Sequence, residues 1–375
     1  MEKIRASVPA KVILFGEHFV VYGTRALAAA IDRRLVVEVS ESETKGYHVK
    51  IENIPTFGLE LDLDLKLEPD LEAGKGDGIF KKRRFGLNQN SKVRPYKDYD
   101  TAAEALAYVK GSIEYFEERY EIGIGGTGVE IEIKSGIPLS VGLGSSAATC
   151  VATIAVLREY FGIERDLEAI RRDAYNVENA VQGVASPIDT AISTYGGYVS
   201  VERTEVKRQD LPELKLIVGS IGRIPLSMAT AAKASEIGLK TKKIVERVKG
   251  RRASFKRIFN SLSDASDRIT EQAIRAIEER DFVTCGALMN VNHGLLDAIG
   301  VVPRKLSELV KVSQELGALG AKVTGAGGRD EMGGVGSVLV LPGESGDQIK
   351  AAMEIVGALV MGVQTGGEGL EILRL

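Results

Sequence analysis

The segment PLSVGLGSSAATCVATIAVL, residues 138–157, constrains the fold more than any other stretch of this sequence. It places Gly142 and Gly144 in a turn between a strand-like run and a run with helical spacing, and Ser145 and Ser146 follow at once. A helix N-terminus exposes unpaired N–H groups and the positive end of the helix dipole, so a glycine turn there suits phosphate oxygens. A tight turn in which a serine caps the helix explains the same residues. The segment alone leaves both interpretations open.

This turn differs from the two common nucleotide-binding loops. It lacks the Gly-Lys-Ser/Thr ending of a Walker loop and the glycine spacing of the dinucleotide fingerprint. If the turn binds ATP, the chain therefore has another fold.

Length and charge limit the class of protein. A chain of 375 residues exceeds one ordinary core, so we predict two lobes with a cleft between them. The 49 Lys and Arg against 52 Asp and Glu give a net charge of -3, which argues against a nucleic-acid partner. Cys150 and Cys285 have no metal or redox spacing. No run approaches the ~20 apolar residues of a membrane span, so we expect a cytoplasmic protein with a small-molecule ligand and no membrane partner.

The pattern along the chain changes near residue 205. Short β-branched runs and alternating runs such as residues 128–135 predict mostly strands before it, with helices near 101–120 and 167–182. Long helical patterns dominate from about residue 226 to residue 316, and late strands follow. We therefore predict an N-terminal domain over 1–204 and a C-terminal domain over 205–375.

Residues 69–100 form an excursion without a sustained period. Their composition is rich in glycine, asparagine and charge, which is typical of a loop. The basic run KKRR, residues 81–84, is interpreted as a solvated loop segment, because four basic residues are common in a balanced protein.

Two further segments carry candidate catalytic side chains. PAKVILFGEHFVVYG, residues 9–23, places Lys11, Glu17 and His18 around a strand and a glycine turn. YNVENAVQGVASPIDTAISTYGG, residues 175–197, carries two acidic candidates, Glu178 and Asp189. Any one of these side chains alone is explained by a surface charge or a satisfied polar group.

The position of Asp189 follows from the residues before it. Ser186 is a typical N-cap and Pro187 a typical first helical residue, so Asp189 is expected in the first turn of a helix. A carboxylate there is favoured by the helix dipole. That account does not explain why two acids and a lysine accompany the glycine turn at 142–144 and a second glycine-rich turn at 322–328. The combination suggests phosphoryl transfer.

Five segments, in this order, resemble the GHMP kinase superfamily and, within it, the archaeal mevalonate kinases. The resemblance extends from residue 7 to about residue 341 and is weaker over 53–100. The form GEHFVVYG is similar to mevalonate kinases, whereas galactokinases resemble it only as far as Gly-Glu-His. The five segments are PAKVILFGEHFVVYG, PLSVGLGSSAAT, VQGVASPIDTAISTYGG, MNVNHGLLDAIGV and GAKVTGAGG.

The resemblance implies an α+β fold of two lobes. The N-terminal lobe is then of the ribosomal S5 domain 2-like type and the C-terminal lobe is ferredoxin-like, with ATP and mevalonate in the cleft between them. The implied reaction is ATP-dependent phosphorylation of the primary hydroxyl of mevalonate, with Mg²⁺ as the metal. A homodimer is an expectation from the family.

The resemblance also implies roles for individual residues. Asp189 matches the catalytic aspartate, and Lys11 matches the lysine near the reacting hydroxyl. Glu178 matches part of the Mg²⁺ site, together with Ser145 and Ser146. The phosphate loop is matched by Gly142, Leu143, Gly144, Ser145, Ser146 and Ala147. Residues on the substrate side are Glu17, His18, Thr190, Gly325 and Ala326.

One segment departs from the family pattern. Where the superfamily has Gly-Ala-Gly-Gly-Gly-Gly before an apolar strand, this chain reads GAGGRDEMGGVGSV, with Arg329, Asp330, Glu331 and Met332 inserted. Acidic residues repel a nucleotide phosphate, so we expect this loop to bulge outward or Arg329 to compensate.

Other functions stay open at this stage. The same fold acting on phosphomevalonate or homoserine is the nearest alternative, and GEHFVVYG with ASPIDTAISTYGG favours mevalonate over it. A non-catalytic ligand sensor would need the pocket but not the proton acceptor. A nucleic-acid protein would predict a strong basic excess, which the net charge of -3 does not show.

Overall fold

The structure is a computed structural model, and it describes residues 3–52, 63–67, 85–87, 98–123, 128–138, 141–183, 185–203, 205–221, 238–329 and 333–375. The basic run 81–84, most of the excursion 69–100 and residues 330–332 of the glycine-run insertion lie outside the described residues.

A large sheet forms the first half of the molecule. Its order is β13-β1-β2-β6-β3-β4-β5, with β7 added beside β2 and β8 beside β7. All its pairs are antiparallel except β3 with β6. The strands are β1 (Ile4–Phe15), β2 (Arg25–Ser42), β3 (Gly46–Glu52), β4 (Leu63–Leu67), β5 (Phe85–Leu87), β6 (Gly128–Ser135), β7 (Tyr198–Glu202), β8 (Glu205–Gln209) and β13 (Glu371–Arg374).

Alternation along β1 explains why one face of this sheet is covered. Ala6, Val8, Ala10 and Val12 are fully buried, as expected for residues two apart on one strand. The helices that pack near this sheet are α1 (Asp98–Tyr120), α2 (Ser145–Tyr160), α3 (Leu167–Gln182) and α4 (Pro187–Tyr195). Helix α2 is buried along nearly its whole length after Ser146, which suits its apolar composition.

The second sheet has the order β10-β11-β9-β12, and its pairs are antiparallel. Its strands are β9 (Lys215–Ser220), β10 (Gly320–Arg329), β11 (Gly333–Leu341) and β12 (Leu359–Gln364). This strand order, with helices between β9 and β10 and between β11 and β12, is ferredoxin-like. The helices of this half are α5 (Gly238–Ser254), α6 (Lys256–Glu278), α7 (Phe282–Ala298), α8 (Arg304–Glu315) and α9 (Gly346–Ile355).

Most predicted elements are confirmed, including the strand 128–135 and the helix from Leu167 to Gln182. Residues 322–328 belong to strand β10, which confirms them as one of the late strands and corrects their second interpretation as a glycine-rich turn. A register shift between Thr324 and Gly327 makes a bulge there, and Arg329 pairs with Gly333. The pairing of β10 with β11 therefore continues as far as Arg329.

The domain division at residue 204 remains a prediction. Two strands that follow residue 204 nevertheless belong to the first sheet. Strand β8, residues 205–209, pairs with β7 in the first sheet. The C-terminal strand β13 also returns to that sheet and pairs with β1. Among the described residues, no helix has the length and apolar character that crossing a membrane requires.

Candidate active site

Strand β1 and the glycine loop before α2 are bonded directly to each other. The N–H of Lys11 donates to the carbonyl of Leu143 at 3.0 Å. Gly144 has a φ of +81°, and a Cβ there would lie 2.7 Å from the Cγ of Lys11. Only glycine suits both the left-handed backbone and this close approach. The loop therefore lies against the stem of the Lys11 side chain.

Helix α2 begins without a side-chain cap. Its N-cap is Gly144, and the first helical bond runs from the Ala148 N–H to the Gly144 carbonyl at 3.0 Å. The interpretation of a serine as N-cap is therefore wrong, because Ser145 and Ser146 lie in the first turn. The N–H groups of this turn receive no capping side chain from Gly144, which leaves them suited to an anion.

Lys11 forms an ion pair with Asp189. The Lys11 Nζ is 2.8 Å from an Asp189 Oδ, and the two side chains are 5% and 22% exposed. Asp189 lies in the first turn of α4, where Pro187 is the first residue and the Ser186 hydroxyl accepts from the Ile188 N–H. This arrangement confirms the predicted position of Asp189 in the helix.

Glu178 places a second carboxylate beside this pair. It is buried on α3, and one of its oxygens accepts from the Ser146 hydroxyl at 2.8 Å and from the Gln182 amide at 3.2 Å. Burial raises the pKa of Glu178 to about 8, and the nearby charge of Asp189 adds to this rise, whereas Lys11 opposes it. Within the described residues, the other oxygen of Glu178 has no hydrogen-bond partner.

The described residues contain no cluster of three or more His, Cys, Asp or Glu side chains that could hold a metal ion. Mg²⁺ commonly binds through one or two protein carboxylates, and takes its other ligands from phosphates and water. The unpartnered buried oxygen of Glu178, with Ser146 beside it, fits such a site.

His18 lies in the turn that follows β1, residues 16–18, which we call the β1 turn. Its Nε2 is 3.0 Å from the carbonyl of Ala326. A carbonyl only accepts, so Nε2 carries the proton, and Nδ1 is the acceptor in the neutral ring. Burial lowers the pKa of His18 to about 4, and the charge of Lys322 contributes. The ring is therefore neutral near pH 7.

Family models match the two halves of the chain separately. The model of the GHMP kinases N terminal domain matches residues 107–197, and that of the GHMP kinases C terminal region matches residues 273–358. A mevalonate kinase of Thermococcus sibiricus is 34% identical over 375 residues, covering 99% of this chain and 98% of the relative. A mevalonate kinase of Pyrococcus furiosus is 35% identical over the same length and coverage.

The chain belongs to the GHMP kinases.

Solved structures agree with this fold. The mevalonate kinase of L. major in complex with R-mevalonate has a TM-score of 0.71 and 23% identity, covering 97% of this GHMP kinase and 96% of that chain. The Methanococcus jannaschii mevalonate kinase has a TM-score of 0.69 and 24% identity, covering 97% and 98%. The predicted α+β fold of two lobes is confirmed.

Two of the residues expected on the substrate side of this GHMP kinase are enclosed in the structure, and their role there stays a prediction. Glu17 is 2% exposed, and its carboxylate is paired with Lys322 rather than open to a ligand. Thr190 is fully buried, because the helix turns it away from the more exposed side of Asp189 towards the interior. Within the described residues, the Thr190 hydroxyl has no hydrogen-bond partner.

The two glycine-rich segments meet backbone to backbone. A Cβ at Gly325 would lie 3.1 Å from the Cα of Gly142, and Ser337 donates its hydroxyl to the carbonyl of Val141 at 2.7 Å. Gly325 therefore supports the loop before α2, and Ala326 offers its carbonyl to His18.

Sequence reasoning missed three polar residues around the β1 turn of this GHMP kinase. Lys322, Thr324 and Asn292 contact the end of β1 or the turn after it. A lysine within the buried strand β10 is the only one of the three with a sequence signal, because lysine is rarely fully buried unless paired.

Proposed function

We propose that this GHMP kinase transfers the terminal phosphoryl group of ATP to the primary hydroxyl of mevalonate, giving 5-phosphomevalonate and ADP. One observation carries the proposal: the Lys11–Asp189 pair, with its lysine buried and its aspartate partly exposed, lies against the uncapped start of α2. The 34% identity over 375 residues to a mevalonate kinase supports mevalonate as the alcohol.

Asp189 is proposed as the proton acceptor. As the alcohol oxygen bonds to the terminal phosphorus, its proton passes to the Asp189 carboxylate, and the bond from that phosphorus to the bridging oxygen of ADP breaks. Lys11, 2.8 Å from Asp189, orients the carboxylate and offsets negative charge on the attacking oxygen. Neither role needs a covalent intermediate on the protein.

The loop Gly142–Ala147 is proposed to bind the phosphates of ATP. Gly142 and Gly144 let the loop approach Gly325 and Lys11 closely, and the first N–H groups of α2 are suited to phosphate oxygens. A helix dipole adds a favourable charge at this end.

Glu178 is proposed to hold Mg²⁺, with the hydroxyls of Ser145 and Ser146. When bound, Mg²⁺ neutralises charge on the phosphate oxygens. The described residues supply one buried carboxylate oxygen that has no partner among them, and one hydroxyl that donates a hydrogen bond to Glu178. Burial disfavours the ionised form of Glu178, and a cation beside it reverses that preference.

His18 is proposed as a hydrogen-bonding contact to the substrate, not as a base. Its pKa of about 4 keeps it neutral near pH 7, and its Nδ1 can accept a hydrogen bond from a hydroxyl group. We also propose a cytoplasmic location, a homodimer and the domain division 1–204 and 205–375.

ADP release with Mg²⁺-ATP tests the proposal against mevalonate, phosphomevalonate and homoserine in parallel. We expect turnover with mevalonate alone, and its loss in Asp189→Asn. Turnover with phosphomevalonate or homoserine instead would change the assigned substrate and leave the proposed mechanism unchanged. Absence of turnover with all three, in a protein that binds ATP, would favour a ligand sensor.

A further inference from the structure

The second sheet is bonded to the end of β1 at successive points. The Lys322 ammonium contacts the Glu17 carboxylate and lies 3.4 Å from the carbonyl of Ile13. The Thr324 hydroxyl donates to that same carbonyl at 2.8 Å and accepts from the Ile13 N–H at 3.2 Å. The carbonyl of Ala326 accepts from His18. Strand β10 therefore holds both β1 and the turn that follows it.

The centre of these contacts is closed to solvent. The side chains of Lys322 and Glu17 are 0% and 2% exposed. Asn292, on α7 in the segment MNVNHGLLDAIGV, is also fully buried and donates its amide to the second Glu17 oxygen at 3.4 Å. The Glu17 carboxylate thus accepts hydrogen bonds from one ammonium and one amide, and both donors come from the C-terminal half of the chain.

The turn held by Glu17 has an unusual backbone. His18 has a φ of +62°, and Gly16, two residues earlier, has a φ of +88°. A Cβ at Gly16 would lie 2.2 Å from the carbonyl of Arg25, so the turn is pressed against β2. A residue with a side chain keeps a left-handed backbone only where its surroundings determine it. The anchors of this turn are Glu17 on one side and Ala326 on the other.

A buried ion pair is weak evidence for a purely stabilising role. Desolvation of the two charges offsets much of their attraction, and apolar residues of similar size often stabilise a protein equally well. A fixed charge pair does, however, determine one geometry. In this protein the Glu17–Lys322 pair determines the geometry of the Gly16–His18 turn, which orients the imidazole of His18.

We infer that Lys322 and Asn292 are positioning residues for the reaction, which hold Glu17 and thereby fix the Gly16–His18 turn and the imidazole of His18 on the substrate side. The inference rests on the proposed function. It makes Glu17 an anchor of the turn rather than a contact to the substrate.

Steady-state kinetics of two variants test this role. Lys322→Met removes the ammonium and keeps the length, and Glu17→Gln/Lys322→Met removes both charges. We expect each to raise the KM for mevalonate about tenfold or more while the KM for ATP changes less than about twofold, because only the substrate side loses its anchor. Asp173→Asn is the matched control, since it breaks the buried Asp173–Arg158 pair between α2 and α3, away from this turn.

A spectroscopic measurement reports on the turn without any turnover. The protein has three histidines, so the imidazole N–H signals are assignable with His48→Gln and His293→Gln. We expect a hydrogen-bonded Nε2–H signal from His18 in the unchanged protein and in Asp173→Asn, and its loss or displacement in both Lys322 variants.

The outcomes separate the two proposals. An unchanged KM for mevalonate, or equal rises of both KM values, in the Lys322 variants would overturn the positioning role. If Lys322→Met does not fold, the double variant carries the same test, because it leaves no unpaired buried charge. If the unchanged protein does not phosphorylate mevalonate, the proposed function fails, and the His18 signal alone still confirms or refutes the anchoring.

Discussion

Two lysine–carboxylate pairs lie near the two ends of the same short stretch of chain, and they differ in their access to solvent. Lys11 pairs with Asp189, with exposures of 5% and 22%. Glu17 pairs with Lys322, with exposures of 2% and 0%. The open pair faces the start of α2 and Glu178, whereas the closed pair is surrounded by Asn292 and the carbonyl of Ile13.

The same chemical pair therefore serves different purposes at different depths. A carboxylate that keeps some contact with solvent can exchange its partner and take up a proton from a ligand. A carboxylate enclosed with its lysine has only protein partners, and its removal leaves a buried charge without compensation. We expect the open pair to control rate and the closed pair to control stability and geometry.

The largest expected effect is on the rate. Asp189→Asn removes the proton acceptor and should lower kcat by about 10²–10⁴-fold, the range for general acid–base groups. The kcat for mevalonate and the thermal unfolding midpoint are measured together, with Asp173→Asn as the control for a carboxylate outside the site. An Asp189→Asn protein with nearly full kcat would remove the distinction between the two pairs.

The free energy of unfolding should respond in the opposite order, with the larger loss when the closed pair is broken. Lys322→Met leaves the buried Glu17 without its cation and should lower the free energy of unfolding by about 3–5 kcal/mol. Lys11→Met should lower it less, because the Asp189 side chain is partly exposed. Urea unfolding of both variants without nucleotide measures the difference. Equal losses of unfolding free energy in the two variants would show that burial does not distinguish the contributions of the two pairs to stability.

A glycine substitution tests the open pair through its packing. Gly144→Ala places a methyl group 2.7 Å from the Lys11 Cγ, whereas Gly162, with a φ of +70°, has no atom of the described residues within 4 Å of its Cβ position. Both alanines carry the left-handed backbone cost of about 1–2 kcal/mol. Only Gly144→Ala should also lower the phosphorylation rate. A similar rate loss in Gly162→Ala would point to a general effect on α2.

The last expected effect is a pH dependence of stability at Glu178, which lies beside the open pair. The pKa of Glu178 rises from 4.5 to about 8 on folding, so its contribution to stability is present at low pH and is lost as pH rises through about 8. Between pH 5 and pH 8 the metal-free protein should therefore lose more stability than Glu178→Gln does. Unfolding midpoints across this range measure the slopes. Identical slopes would mean that Glu178 is ionised throughout.

Local patterns were sufficient to place Asp189 and the helix that carries it. Ser186 and Pro187 specify the helix start through capping and backbone geometry, which act over a few residues. The same is true of β6 and α3, whose periods are strong. Residues 322–328 were predicted both as a late strand and as a glycine-rich turn, and only the neighbour β11, which supplies their hydrogen bonds, decides for the strand.

The partner of Glu17 was outside the reach of any local pattern. Lys322 is 305 residues away along the chain, and nothing near either residue specifies the other. For the same reason, the expectation of Glu17 and Thr190 as substrate contacts did not anticipate that both are enclosed. Burial is decided by what packs on top of a residue.

The sequence by itself determined the helices, most strands, the glycine loop and the list of groups suited to phosphoryl transfer, because these depend on short-range periodicity and on the chemistry of single residues. The tertiary structure decided which lysine meets which carboxylate and which of these pairs solvent can reach. Contacts between β1, α4 and β10 exist only after distant segments pack together, and that packing sets both distance and depth.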